Sequence, residues 1–366
     1  MDLIFYENKR GVSVGRKSIY NNIATEEKME KVNPKNLALL EEWKVYLRTV
    51  NRSPKTIKNY ASDMNIFFVW LLDFKENKFF VDITKKDVLF FQDYAMNTLG
   101  LGSCRVRRLK DTLSSFSNYI EGFCDEDYPN FRNIIRKIES PGKKAVREKT
   151  VFEEEDIEMI LNGLLDRGYY QIACLVALAC YSGSRRSELL EFKVDYFEPE
   201  NVVFGSLFKT PETIKTKGRD GGKYIYKYTL KKPFERYYYL WMKERRKLLK
   251  GEQIDPEVEQ YLFIHKVKGK WERLQSKSLT WGSDVVNKIL EEEGNSKIFY
   301  WHACRHYFTS ALRGSGIPAE VVKEISGWSS VDLVDVYDDR DRDDEIGKYF
   351  DENGIKKVET TKISDL

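Results

Sequence analysis

The stretch Tyr169–Gly183, YYQIACLVALACYSG, constrains the fold more than any other part of this chain. It reads as a helix that is apolar on nearly every side, with no face to offer to water. The run stops short of the roughly 18 apolar residues a membrane helix needs. It must therefore lie inside a protein, covered all round by other elements. Gly183 breaks it, and a polar turn follows at once in SGSRRSELLEF.

The elements that cover it have to come from the rest of the chain. At 366 residues the chain is long for one core, and two domains are expected. A 42% hydrophobic and 14% aromatic content is ample for packed interiors, which argues against wholesale disorder. The N-terminus, MDLIFYENKRGVSVGRK, carries charges early and lacks the pattern of a secretory signal. The five cysteines (Cys104, Cys124, Cys174, Cys180 and Cys304) are scattered and never form a CxxC pair. That pattern fits free thiols in a reducing compartment, so a cytoplasmic protein without a membrane segment is expected.

Around the buried helix the pattern is mainly helical. Residues 1–33 are polar and aperiodic and read as an arm. From 34 to 138 the apolar stripes repeat at helical spacing. Leu37, Leu39, Leu40, Trp43, Tyr46 and Leu47 form one stripe. Ser53 and Pro54 open a second helix, through about Leu72. Thr84 with Asp87 makes a capping box that opens a third, to about Asn97. Ser103 is expected to cap a fourth, with Arg105, Arg107, Arg108 and Lys110 on its early turns. This region is a helical bundle. Residues 139–150, with a Pro-Gly pair and basic composition, read as a linker. Residues 151–350 form a second domain, mixed but mainly helical. In it NVVFGSLF, ETIKTKG and KYIYKYTL build a small antiparallel sheet, turning at RDGG. Residues 351–366 are a polar tail.

Net charge is only +3, but its distribution is uneven. Basic runs stand at 105–110, 143–149, 215–219 and 243–250, and acidic ones at 153–156 and 338–345. Taken singly, such runs are solvated helix faces. Segregated in this way they can also build one positive face on a nearly neutral protein. Arg105, Arg107 and Arg108 on the fourth helix, Lys143 and Lys144 in the linker and Lys215 in the sheet are the candidate contacts to a phosphate backbone.

Polar groups of a different kind punctuate the second domain. Arg185 follows the Gly183 break, with Glu188 three residues on. Lys215 and Lys217 stand before the glycine turn. His302 and Arg305, in YWHACRHYF, open a helix one turn apart. Trp328 follows Gly327, and Tyr337 stands nine residues later. Each piece alone has an ordinary reading: a surface ion pair, a solvated lysine, a packing tyrosine. Their order does not. An Arg in SGSRRSELL, a hairpin Lys, a His-x-x-Arg box, then Gly-Trp and a Tyr resembles the tyrosine recombinase (phage integrase) family. The resemblance covers about 150–350 and extends to the preceding bundle, which looks like that family's core-binding domain.

The resemblance implies site-specific DNA recombination or integration of a mobile element. In that reaction a tyrosine hydroxyl attacks a phosphodiester to leave a 3′-phosphotyrosyl link and a 5′-hydroxyl. Tyr337 matches the nucleophile. Arg185 and Arg305 match the guanidiniums that stabilise charge on the phosphate. His302 matches the group that accepts the tyrosine proton or hydrogen-bonds the phosphate. Lys217, with Lys215 as the alternative, matches the donor of a proton to the leaving oxygen. Trp328 stands where many members carry a second His, and it donates one hydrogen bond but cannot shuttle a proton. Glu188 supports the basic groups from behind. No cofactor and no metal ion are implied. The implied partners are double-stranded DNA held in a clamp, further copies of the chain as dimer and tetramer on that DNA, and accessory DNA-bending or directionality proteins. His306 and His265 read as structural. A DNA-binding regulator on the same scaffold that no longer cuts is the competing reading, and a type IB topoisomerase a minor third.

Overall fold

A computed structural model of the chain describes residues 22–142, 150–216, 222–341, 343, 345, 350–351 and 354–355. The described residues before 143 and those from 150 onward form two separate compact units. Lys143, Lys144 and Lys217 lie outside the described residues, as do most of the expected arm, the RDG of the RDGG turn and most of the expected tail.

The first unit is helical: α1 (Glu26–Lys31), α2 (Pro34–Thr49), α3 (Pro54–Phe74), α4 (Lys85–Asp93) and α5 (Ser103–Phe123). Its ends follow the local chemistry. Asn33 and Ser53 accept hydrogen bonds from the first turns of α2 and α3, each with a proline behind the cap. Thr84 and Asp87 close both halves of a capping box on α4, which runs on into a wider π turn at Tyr94–Thr98. On α5 the cap is Gly102, not Ser103, which is the first helical residue. The core of the unit is aromatic. Phe80 and Phe116 meet edge to face with centroids 4.8 Å apart, and Trp43 meets Phe116 at 5.1 Å.

The second unit is organised around α7 (Tyr170–Ser182), the apolar run with which the sequence is most emphatic. Every residue from Ile172 to Cys180 is buried. Around α7 pack α6 (Glu154–Asp166), α8 (Lys231–Leu248), α10 (Ala303–Gly314) and the strand β5 (Tyr228–Leu230). The strands before α8 form two pieces instead of one sheet. Strands β1 (Val202–Val203), β2 (Leu207–Lys209) and β5 make an antiparallel sheet in the order β1-β2-β5. Strands β3 (Ile214–Thr216) and β4 (Lys223–Ile225) make a separate ribbon, with Thr216 opposite Lys223. Pro211 separates β2 from β3, because it cannot donate to a ladder.

A second hairpin, β6 (Ile264–Val267) with β7 (Lys270–Arg273), lies in a stretch that the sequence pattern reads as mostly helical. The unit also holds α9 (Leu279–Glu292), α11 (Ala319–Ser326) and α12 (Asp332–Tyr337). No helix among the described residues is long and apolar enough to cross a membrane.

Candidate active site

The end of α7 fixes the first wall of the site. Gly183 takes φ 56°, the left-handed conformation that stops the helix. A Cβ there would sit 2.4 Å from Phe308 Cδ1, so the position demands glycine on two counts. The chain then folds back on itself through Glu188. The Arg185 amide donates to Glu188 Oε2 at 2.9 Å, and Arg185 Nη1 donates to Glu188 Oε1 at 2.7 Å and to Thr216 Oγ1 at 2.8 Å. Glu188 also accepts from the Thr216 hydroxyl, and from Lys227 Nζ at 3.2 Å. The carboxylate is fully buried while Arg185 keeps 27% of its side chain exposed. Arg185 is thus anchored on one side and open on the other. Burial pushes the Glu188 carboxyl up. The opposing pull of Lys227, the Thr216 hydroxyl and the Arg185 amide and guanidinium outweighs it and holds the group well below the carboxylate range.

Helix α10 supplies the second wall. His302 caps it and Arg305 lies one turn in. The Arg305 guanidinium is fully buried. Its Nη1 donates to the Gly183 carbonyl at 2.6 Å and its Nη2 to the Ser326 carbonyl at 3.3 Å. Its Cζ stands 4.7 Å from the Trp328 ring centre and 5.5 Å from that of Tyr337, and Glu188 Oε2 lies 4.0 Å from Nη1. Burial, then Arg185, push its pKa down to about 10 against the pull of Glu188 and Tyr337. It is still charged at neutral pH. His302 is exposed, and desolvation by the surrounding protein, then His306, Arg305 and Arg185, hold its pKa below the usual imidazole value. The ring is therefore neutral at pH 7 and free to take up a proton.

The third wall is Trp328 and Tyr337. Gly327 ends α11 at φ 66°, where a Cβ would lie 2.3 Å from Ile225 Cδ1 of β4, and Trp328 follows. Tyr337 is the last residue of α12. Its ring stacks on Trp328 with centroids 4.9 Å apart and 18° between planes, and meets the His302 ring at 5.2 Å. Trp328 Nε1 is buried without a hydrogen-bond partner among the described residues. A buried donor left over in this way is rare and suits an acceptor that arrives with a ligand.

Arg185, Glu188, His302, Arg305, Trp328 and Tyr337 thus come together from four segments of the second unit. Lys215 does not join them. It is exposed on β3, between the inward-facing Ile214 and Thr216. Three participants escaped the sequence reading. Thr216 and Lys227 both hold Glu188. His306, expected to be structural, has its ring 4.7 Å from that of Tyr337, and its Nδ1 stands 2.9 Å from Asp339 Oδ2 without meeting hydrogen-bond geometry.

On the first unit, Arg105 and Arg108 both pair with the buried Asp63, at 2.6 and 3.2 Å, and Arg107 donates to the Pro141 carbonyl at 2.9 Å. Arg105 and Arg108 stay partly exposed, so one carboxylate fixes two guanidiniums on one patch.

The family model described as "Phage integrase family" matches residues 150–343, more than half of the chain. The chain belongs to the phage integrase family, the tyrosine recombinases. It is 28% identical over 285 residues to the SPbeta prophage-derived recombinase-like protein YomM of Bacillus subtilis (strain 168), covering 75% of this chain and 79% of that one. It is 22% identical over 298 residues to the TnP I resolvase of Bacillus thuringiensis, covering 81% and 93%. Among solved structures, its fold is similar to the Tn1549 transposon integrase in complex with circular intermediate DNA (TM-score 0.61, 14% identity, covering 85% of this chain and 98% of that one). It is also similar to the XerH site-specific recombinase bound to a palindromic difH substrate (TM-score 0.59, 17% identity, covering 84% and 83%).

Proposed function

We propose that this protein is a site-specific DNA recombinase that cuts and rejoins double-stranded DNA through a 3′-phosphotyrosyl intermediate, with Tyr337 as nucleophile. The observation that carries the reading is the placement of the Tyr337 ring against Trp328, His302 and Arg305, with Arg185 joined to the same cluster through Glu188. The DNA-bound state of the solved relatives supports DNA as the substrate.

In this reaction the Tyr337 hydroxyl oxygen forms a bond to phosphorus, and the bond from phosphorus to the 5′-oxygen breaks. The tyrosine proton passes to neutral His302. The leaving 5′-oxygen takes a proton and departs as a hydroxyl. Lys217 is the proposed donor, with Lys215 as the alternative. Negative charge grows on the non-bridging oxygens as phosphorus becomes five-coordinate. Arg185 and Arg305, oriented by Glu188, Gly183 and Ser326, stabilise that charge, and Trp328 Nε1 adds one neutral hydrogen bond. The phosphotyrosyl bond keeps the energy of the broken link, so a 5′-hydroxyl from either strand reverses the step and rejoins DNA. The first unit, with Arg105 and Arg108 braced on Asp63, contributes phosphate contacts beside Arg107, Lys143, Lys144 and Lys215. Dimers and tetramers on DNA, with accessory bending or directionality proteins, belong to the same proposal, as do the domain limits 34–138 and 151–350 around the 139–150 linker.

The test separates binding from chemistry. Duplexes are selected from a random-sequence library by binding to the full chain, and a nick is placed near the cleavage position so that the adduct is trapped. Wild type is expected to form a covalent complex. Arg305→Ala is expected to bind within a few-fold yet lose about two to three orders of magnitude in adduct formation. A wild type that binds the selected site tightly but never forms the adduct would replace this reading with that of a non-cutting regulator.

A further inference from the structure

Lys227 lies at the foot of the arginine pair, completely buried. Lysines are almost never buried to that extent unless paired. Its backbone is pinned: Lys227 N donates to Thr210 Oγ1, and Thr210 N donates to the Lys227 carbonyl, both at 3.0 Å. Its ammonium stands 3.2 Å from Glu188 Oε2. An apolar pair of similar volume would pack such a site as well or better, because a buried ion pair seldom adds to stability. The charge therefore needs a reason other than folding.

The reason lies in what Glu188 holds. The same carboxylate orients Arg185 and receives the hydroxyl of Thr216, the residue next to Lys217. Arg185, Arg305 and Lys227 are three cations gathered on one carboxylate, which leaves two positive charges unneutralised. A phosphodiester attacked by a tyrosine whose proton has gone to His302 becomes a dianion at its five-coordinate stage. The cationic cluster opposes that charge, and Lys227 supplies one of its positive charges.

We propose that Lys227 is a positioning residue for strand cleavage. It holds Glu188 in the orientation that aims Arg185 and anchors Thr216, and it raises the positive potential beneath the scissile phosphate. The inference rests on the recombinase reading above.

The charged and polar groups around the ammonium are Glu188, Arg305 and Arg185, with Thr216 bonded to the same carboxylate. Burial, joined by Arg305 and Arg185, pushes the Lys227 pKa down to about 8 against the pull of Glu188. An unfolded lysine keeps its proton to about pH 10.4. Between these values the unfolded state binds the extra proton, so this group adds stability as pH rises. Loss of cleavage in that window is then loss of the site's charge and not of the fold.

The experiment uses the full chain on the binding-selected duplex, prepared with an ordinary scissile phosphate and with a 5′-bridging sulfur. Thiolate leaves without being protonated, so the sulfur substrate removes any need for a donor such as Lys217. On it, wild-type adduct formation is expected to fall about tenfold or more from pH 7.5 to 9.5, while the thermal midpoint does not drop. Lys227→Met is expected to bind within a few-fold, to cleave both substrates at least about tenfold more slowly at pH 7, and to lose the fall near pH 8.

Lys227→Met that cleaves like wild type overturns the inference. So does a defect that disappears with sulfur, since Lys227 would then be the proton donor itself. If Lys227→Met does not fold, the wild-type profile decides, and a rate that stays level from pH 7.5 to 9.5 overturns it. A wild type that forms no adduct with either leaving group refutes the recombinase reading, and the inference falls with it.

Discussion

Replacing Glu188 by Gln puts the buried charge cluster under direct strain. The carboxylate accepts from the Arg185 amide and guanidinium, the Thr216 hydroxyl and the Lys227 ammonium. Gln keeps one acceptor oxygen and turns an NH₂ group toward donors. It also leaves Lys227 buried without its counter-charge. Breaking a buried pair by removing one partner costs about 3–5 kcal/mol. The wild-type Lys227 holds its proton up to about pH 8. In Glu188→Gln it loses that proton on folding even at neutral pH. The sign follows from proton counts. Below pH 8 the unfolded variant binds one more proton than its folded state, whereas the two wild-type states bind the same number. The stability gap should therefore narrow by up to about 1.4 kcal/mol per pH unit as pH rises toward 8, then level off. Urea unfolding of the full chain followed by circular dichroism, at pH 6.5, 7.5 and 8.5, measures this. A loss under about 1 kcal/mol at pH 7, or a gap that ignores pH, would refute the hub assigned to Glu188.

Gly183→Ala is expected to lower stability by about 2–4 kcal/mol in the same measurement, since it combines a left-handed backbone with a Cβ on the Phe308 ring. It should also slow adduct formation, because Arg305 donates to the Gly183 carbonyl. Asp63→Asn should cost about 1–3 kcal/mol, discounted for the partial exposure of Arg105 and Arg108, and a neutral result would remove Asp63 as their anchor. His302 has its pKa held below the usual value, so the acid limb of cleavage should lie below about pH 6.5 and vanish in His302→Gln. An acid limb that survives in the variant would assign it to another group.

Much of the site is legible before any coordinates, and the reason is local. The His302–Arg305 spacing is one helical turn, Gly183 marks the helix end that releases Arg185, and Gly327 sets Trp328 at another such end. The all-apolar α7 forces a layered second unit by itself. What the sequence hides depends on contacts distant along the chain. Lys227 sits in an aromatic, strand-like run, KYIYKYTL, where a lysine looks solvated; only Glu188, 39 residues away, makes it a buried ion. His306 looks structural until Asp339 and Tyr337 fold back beside it. The three arginines of α5 look free for phosphate, yet a single aspartate on α3 ties down two of them. The split of one expected sheet into two falls at Pro211, which cannot donate to a ladder between β2 and β3.

The identity of the attacking residue is the central claim, and mapping the adduct tests it most directly. Wild type and Tyr337→Phe are incubated with the nicked, binding-selected duplex, covalent complexes are separated under denaturing conditions, and the nuclease-trimmed peptide is sequenced by mass spectrometry. The ring packing against Trp328 survives in the Phe variant, so its fold and its DNA binding should persist. The expected result is a nucleotide attached to Tyr337 in wild type and no adduct from Tyr337→Phe despite binding within a few-fold. A covalent complex formed by the Phe variant, or a wild-type adduct mapped to any other residue, would contradict the account.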